Sequence, residues 1–171
     1  MNILTFFIAA FCIRMLSLVV SMANEHWLKS SGAIEYGKRN TKLLTLCHIL
    51  FYAAALTEGL IRQRSVNDIT WAGVGLFAVS MFFLWMVIRQ LGSVWTVKLY
   101  IAPDHKINRS ALFRYIKHPN YYLNVLPELV AIAMICQSWY TLMIGLPVYL
   151  VPLITRIRQE EQVMKTHFAN Y

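Results

Sequence analysis

Apolar residues along the chain gather into five runs, at positions 2–22, 43–61, 69–88, 121–137 and 139–155, separated by short polar connections. At about 1.5 Å of rise per residue, a helix over each of the first three is long enough to cross a hydrocarbon core of about 30 Å. The last two runs are shorter, and the connection at Gln137-Ser138 is very tight. They read as two tilted spans that draw on flanking residues, against a hairpin that does not fully cross. The expectation is an all-α integral membrane protein, a bundle of about five transmembrane helices, in which every backbone polar group is satisfied within its own helix.

Polar positions set the orientation. With five crossings, one side of the membrane receives Lys29, Lys38, Arg39, Lys42, Arg89, Lys98, Lys106, Arg109, Arg114, Lys117, Arg156, Arg158 and Lys165, and the other only Arg62 and Arg64. That asymmetry predicts an outside N-terminus and a cytoplasmic C-terminus by the positive-inside rule. The longest polar connection, 89–120, and the polar tail then share the cytoplasmic face. The first run lacks a basic segment before it and is too long for the core of a signal peptide, so it is read as a retained helix.

Composition agrees. The chain is 58% hydrophobic and 14% charged over 171 residues, far from the roughly 25% charge of a soluble domain. Its net charge of +8 belongs to the loops that orient the spans, so nucleic acid is not expected as a partner. Cys12, Cys47 and Cys136 fall within apolar stretches without metal-ligand spacing, which argues for buried thiols and no metal site. No repeat or linker divides the chain. A single membrane domain is expected over 1–171, with three N-terminal spans in 1–90 and a loop, a helical hairpin and a tail in 91–171.

Two polar clusters carry candidate chemistry. The first is Arg114-Tyr115-Ile116-Lys117-His118-Pro119-Asn120-Tyr121-Tyr122, leading into the fourth run. Pro119 suits the first turn of a helix, which leaves His118 at the membrane face beside unpaired amides. The second is Arg156-Ile157-Arg158-Gln159-Glu160-Glu161, at the exit of the fifth run. Adjacent carboxylates require a nearby cation, and the first cluster lies on the same face.

A basic residue followed by His-Pro-x-Tyr, then Arg-Ile-x-x-Glu-Glu beyond the next helix, resembles the isoprenylcysteine carboxyl methyltransferase family and its relatives the phospholipid N-methyltransferases. The resemblance covers about the last eighty residues, from Leu91 onward. Lys117 stands where that family usually has arginine, and Leu123 where it commonly has a small residue. The resemblance implies S-adenosylmethionine as methyl donor, with S-adenosylhomocysteine as product, in a cytoplasmic pocket near the C-terminal hairpin. Carried over, His118, Tyr121 and Glu160 or Glu161 would line that pocket and Arg156 would orient the acidic pair. A zwitterionic amino-acid end needs a cation and an acceptor, which Lys117, His118 and the Glu pair supply. A sulfonium is stabilised by aromatic faces, for which Tyr121, Tyr122 and Trp95 are candidates.

Other residues keep two readings. Glu128 lies inside the fourth run, where an ionisable group is expensive; it is either a catalytic group, with His118 or Glu128 serving as base for a phenol acceptor, or a structural hydrogen-bonding group between helices. Glu58, four residues before Arg62, reads as a structural ion pair. The stretch from Trp95 to Tyr100 either roofs the cofactor or forms an interfacial belt, and Trp71, Trp85 and Trp139 read as belt or packing residues. The expected activity is methyl transfer to a lipidic or lipid-attached oxygen, carboxylate or phenol, reached sideways from the bilayer. The resemblance is to the bacterial branch, which favours a small lipidic substrate over a prenylated protein. Phospholipid N-methylation, an NADPH-dependent membrane reductase with a similar His-Pro-x-Tyr stretch, and a non-catalytic membrane scaffold are the alternatives. The acceptor and the oligomeric state are not legible.

Overall fold

A computed structural model describes residues 2–101 and 111–167. Lys106 and Arg109, the Arg114 side chain and the final residues 168–171 lie outside what is described. The elements are α1 (Ile3–Ser30), β1 (Ile34–Tyr36), α2 (Lys38–Ile61), α3 (Asp68–Leu91), β2 (Leu99–Ile101), the short α4 (Ala111–Tyr115), α5 (Leu126–Cys136) and α6 (Leu146–His167). Wider π-helical turns, Asn120–Val125 and Thr141–Gly145, lead into α5 and α6.

Four helical stretches, Ile3–Ser30, Lys38–Ile61, Asp68–Val94 and Thr141–His167, are long and apolar enough to cross a membrane, so the chain is a multi-pass membrane protein. The fourth run yields a shorter helix, Asn120–Cys136. The fifth, expected to be short, continues through the polar tail to His167, because Arg158 to Lys165 are mostly good helix formers. In the same way α1 runs eight residues past the end of its apolar run at Met22.

These helices alternate between two ends of the bundle. At one end Phe6 packs edge-on against Trp71 with ring centroids 5.0 Å apart, and Gln137 Nε2 donates to the Ser65 carbonyl at 2.6 Å. At the other, Asn24 Nδ2 donates to the Trp95 carbonyl at 2.8 Å, and β1 pairs antiparallel with β2 in the register Ile34 to Ile101, Glu35 to Tyr100 and Tyr36 to Leu99. The two three-residue strands are the one departure from a helical fold among the described residues, and periodicity over so short a stretch carries no signal. The start of α3 satisfies its own free amides with a capping box: Asn67 Oδ1 accepts from Thr70 N at 3.1 Å, and Thr70 Oγ1 accepts from Asn67 N at 3.5 Å.

Two features fix how α5 sits. A Cβ on Gly73 would lie 2.8 Å from the Ile135 nitrogen, and one on Gly59 would lie 2.7 Å from the Cys136 carbonyl oxygen, so α2 and α3 approach α5 backbone to backbone. Prolines shape the helix starts. Pro127 and Pro147 each lack an N–H, and each ring crowds the carbonyl four residues earlier; the π turns that precede them widen the helix there and relieve the clash.

Candidate functional site

A cavity of about 190 Å³ lies at the end of the bundle where the two strands meet. One wall comes from the approach to α5. The helix begins at Pro119, and the His118 carbonyl accepts from Tyr121 N at 3.1 Å and Tyr122 N at 3.3 Å, so His118 caps the turn with its backbone. The π turn buries Tyr121, Asn124 and Val125, and turns Tyr122 outward. A second wall is the polar end of α6, which presents Arg156 and Glu160 one turn apart on one face. Trp95, Lys98 and Tyr100 close the third side.

The two clusters meet. His118 Nδ1 lies 3.5 Å from Glu160 Oε1, and its Nε2 lies 3.4 Å from Glu161 Oε1. The Tyr121 hydroxyl donates to Glu160 Oε2 at 2.8 Å and accepts from Arg156 Nε at 3.2 Å. Arg156 is 2% exposed, and its other nitrogens are also held: Nη1 donates to Thr41 Oγ1 at 2.8 Å and Nη2 to the Val97 carbonyl at 3.1 Å. Arg156 thus reaches Glu160 through the Tyr121 hydroxyl.

Burial opposes a charge on His118, but hydrogen bonding and charge from Glu160, then Glu161, outweigh it and raise the imidazole above its ordinary value of 6.5. A raised folded-state value stabilises the fold fully below pH 6.5 and loses that contribution as pH climbs through the folded-state value. Wild-type protein should therefore exceed His118→Asn in thermal stability most near pH 6 and by a shrinking margin towards pH 9. A margin that grows with pH would contradict the imidazolium.

Of the residues singled out from the sequence, Lys117, His118, Tyr121, Trp95, Arg156 and Glu160 line the cavity. Glu161 touches His118 without being part of the lining, and Tyr122 is 51% exposed on the bundle surface, because its place next to Tyr121 rotates it about 100° away. Glu128 is not brought to His118. It is fully buried farther along the helix, with Oε1 accepting from Tyr52 OH at 2.5 Å, paired with Arg14 Nε at 3.0 Å and 3.6 Å from His48 Nε2. Glu58 pairs with Arg62 at 3.6 Å as expected, and also accepts from the amides of Tyr140 at 3.1 Å and Thr141 at 2.8 Å, capping the last helix.

Sequence reasoning passes over the residues that brace this site from the N-terminal helices. Thr41 holds Arg156, Ser21 Oγ accepts from Val97 N at 2.9 Å, and Glu25 meets Lys98 and Tyr100. A faint signal exists: Ser21, Asn24 and Glu25 lie at helical spacing just where the first apolar run ends.

Spanning helices that converge on a cavity lined by cationic, carboxylate and aromatic side chains define a multi-pass membrane protein with a polar cavity at one end of its bundle. The isoprenylcysteine carboxyl methyltransferase (ICMT) family matches residues 73–166, over half of the chain, and the protein belongs to that family. It is accordingly a methyltransferase that uses S-adenosylmethionine. Among curated proteins, an uncharacterized protein of Haemophilus influenzae is 44% identical over 162 residues, covering 95% of this chain and 94% of its own length. The uncharacterized protein YpbQ of Bacillus subtilis is 26% identical over 155 residues, covering 90% of this chain and 91% of its own. No solved structure matches the chain significantly.

Proposed function

We propose that the cavity between His118, Tyr121 and Glu160 holds S-adenosylmethionine on the cytoplasmic side of the membrane, and that the methyl group passes to an oxygen of a lipidic acceptor arriving from the bilayer. The observation that carries this reading is the convergence of His118, Tyr121, Arg156 and Glu160 on one cavity from two separate helices. The donor set fits. Glu160 offers a carboxylate to an ammonium, lysines line the rim for a carboxylate, and Tyr121 and Trp95 offer aromatic faces to a sulfonium. Two further lining groups, the Trp95 indole N–H and the Asn120 amide oxygen, are buried without a hydrogen-bond partner among the described residues, as groups awaiting a ligand would be.

Bound there, the cofactor supplies a methyl group on a good leaving group, so the protein's part is placement and exclusion of water. Arg156 and Glu160 clamp the Tyr121 hydroxyl from both sides, which fixes the ring against the cavity. His118, held between two carboxylates, keeps Glu160 and Glu161 together at the end of α6. A carboxylate acceptor needs no base; a phenol would lose a proton, which His118 in the wall takes when it is neutral. The buried engagement of Glu128 with Arg14 and Tyr52 favours the structural reading of that residue. The basic end of the bundle, with Lys29, Lys38, Lys98 and Arg158, supports a cytoplasmic cavity and C-terminus and an outside N-terminus.

Calorimetry on detergent-purified protein tests the reading with S-adenosylhomocysteine and NADPH as probes. Binding of S-adenosylhomocysteine is expected, weakened by about tenfold or more in His118→Ala and in Glu160→Gln. Binding of NADPH alone would turn the site over to a reductase, and unchanged affinity in both variants would remove these residues from the pocket.

A further inference from the structure

The cavity is walled on one side by a segment that the N-terminal helix holds in place. Asn24 Nδ2 donates to the carbonyls of Gly92 at 3.1 Å and Trp95 at 2.8 Å, and Ser21 Oγ accepts from Val97 N, so the chain from Gly92 to Val97 is strapped to α1 by its backbone. Glu25, on the same face of α1, reaches one turn further. Its Oε1 lies 2.6 Å from Lys98 Nζ and 2.6 Å from Lys29 Nζ, and accepts from the Tyr100 hydroxyl at 3.0 Å. The one Tyr100 hydroxyl proton is shared with Glu35, its direct partner across the strand pair, whose Oε2 lies 3.2 Å away. Lys98 and Tyr100 both line the cavity.

This arrangement sets a charge. A lysine ammonium is a point charge on a flexible four-carbon stem, and left alone it would swing to solvent. Glu25, only 13% exposed in its side chain, fixes Nζ of Lys98 beside the cavity while balancing Lys29 on the same oxygen. Without it two ammonium groups would face each other, and Lys98 would move away. An ammonium carries three N–H donors, so one directed at Glu25 leaves donors for a ligand. Arg156 differs in that each of its three nitrogens already donates one of its five N–H groups to the protein, which ties the guanidinium to Tyr121, Thr41 and the Val97 carbonyl.

We infer that Lys98 receives the carboxylate at the amino-acid end of the methyl donor and that Glu25 is its positioning residue. This rests on the cofactor reading of the cavity given above. It also makes α1, which lies outside the matched residues 73–166, part of the binding site.

The test uses full-length protein in detergent and two probes that share an adenosine thioether: S-adenosylhomocysteine, and 5′-methylthioadenosine, which lacks the amino-acid carboxylate. Lys98→Met and Glu25→Gln should each weaken S-adenosylhomocysteine by about tenfold and leave 5′-methylthioadenosine unchanged; Glu25→Asp should recover part of the loss. Wild-type affinity for S-adenosylhomocysteine in both variants would overturn the inference and leave the cofactor site standing. Equal loss for both probes would also overturn it, reducing Glu25 to a brace for the strap. If wild-type protein binds neither probe, the cofactor reading itself fails and the inference with it.

Discussion

Arg14→Leu should destabilise the protein by about 3–5 kcal/mol, the cost of leaving a buried charge without its partner. Arg14 Nε lies 3.0 Å from Glu128 Oε1, and the carboxylate is fully buried in the bundle. The remaining groups on that oxygen are the Tyr52 hydroxyl and, at 3.6 Å, His48. Neither carries the permanent charge of a guanidinium. The four side chains come from α1, α2 and α5, so the loss would loosen helix packing around the centre of the fold. The double variant Arg14→Leu/Glu128→Leu should regain most of the stability, because it removes the isolated charge along with its partner. Thermal unfolding in detergent would read the single variant as a fall of roughly 10 °C. A single variant as stable as wild type would show that the pair holds nothing together.

Arg156→Met should lower affinity for S-adenosylhomocysteine by about a hundredfold in the protein that remains folded. Methionine keeps the apolar stem but none of the three donors that reach Tyr121, Thr41 and the Val97 carbonyl. Hydrogen bonds from a charged donor contribute about 1.5–3 kcal/mol each. Loss of the one to Tyr121, which orients the hydroxyl on Glu160, converts to that factor if it falls on binding. Arg156→Lys should not restore it, since one ammonium cannot address three separate acceptors. Calorimetry reads the affinity and a melting curve controls for folding. Binding as tight as wild type in Arg156→Met would show that the guanidinium does not set Tyr121 and Glu160 for the ligand.

Some of this architecture is legible along the chain and some is not, for physical reasons. Runs such as 43–61 and 69–88 announce helices because a bilayer core demands length and apolarity together. His118, Tyr121, Arg156 and Glu160 stand out because charged and aromatic residues at short fixed spacing border apolar runs. Their bracing partners do not stand out. Glu25 and Thr41 are ordinary polar residues near helix ends, and their meaning arises from contacts 73 and 115 residues away in the chain. The same holds for Glu128. Its depth marks it as costly, but only the packing of α1 and α2 against α5 shows that Arg14 and Tyr52 meet that cost. Tyr122 is misplaced by reading the motif as a block, since neighbours on a helix face different directions.

The π turn over Asn120–Val125 sets two parts of one helix out of phase with each other. At its start, Tyr121 looks into the cavity; downstream, Glu128 looks into the bundle's centre. Excising a single residue there, such as Leu123, would return the turn to ordinary α-helical winding and swing the upstream half by about a quarter of a revolution. The phenol ring would then leave the cavity wall while the carboxylate stayed with its guanidinium, parting the cavity from the bundle's core by the length of one peptide unit.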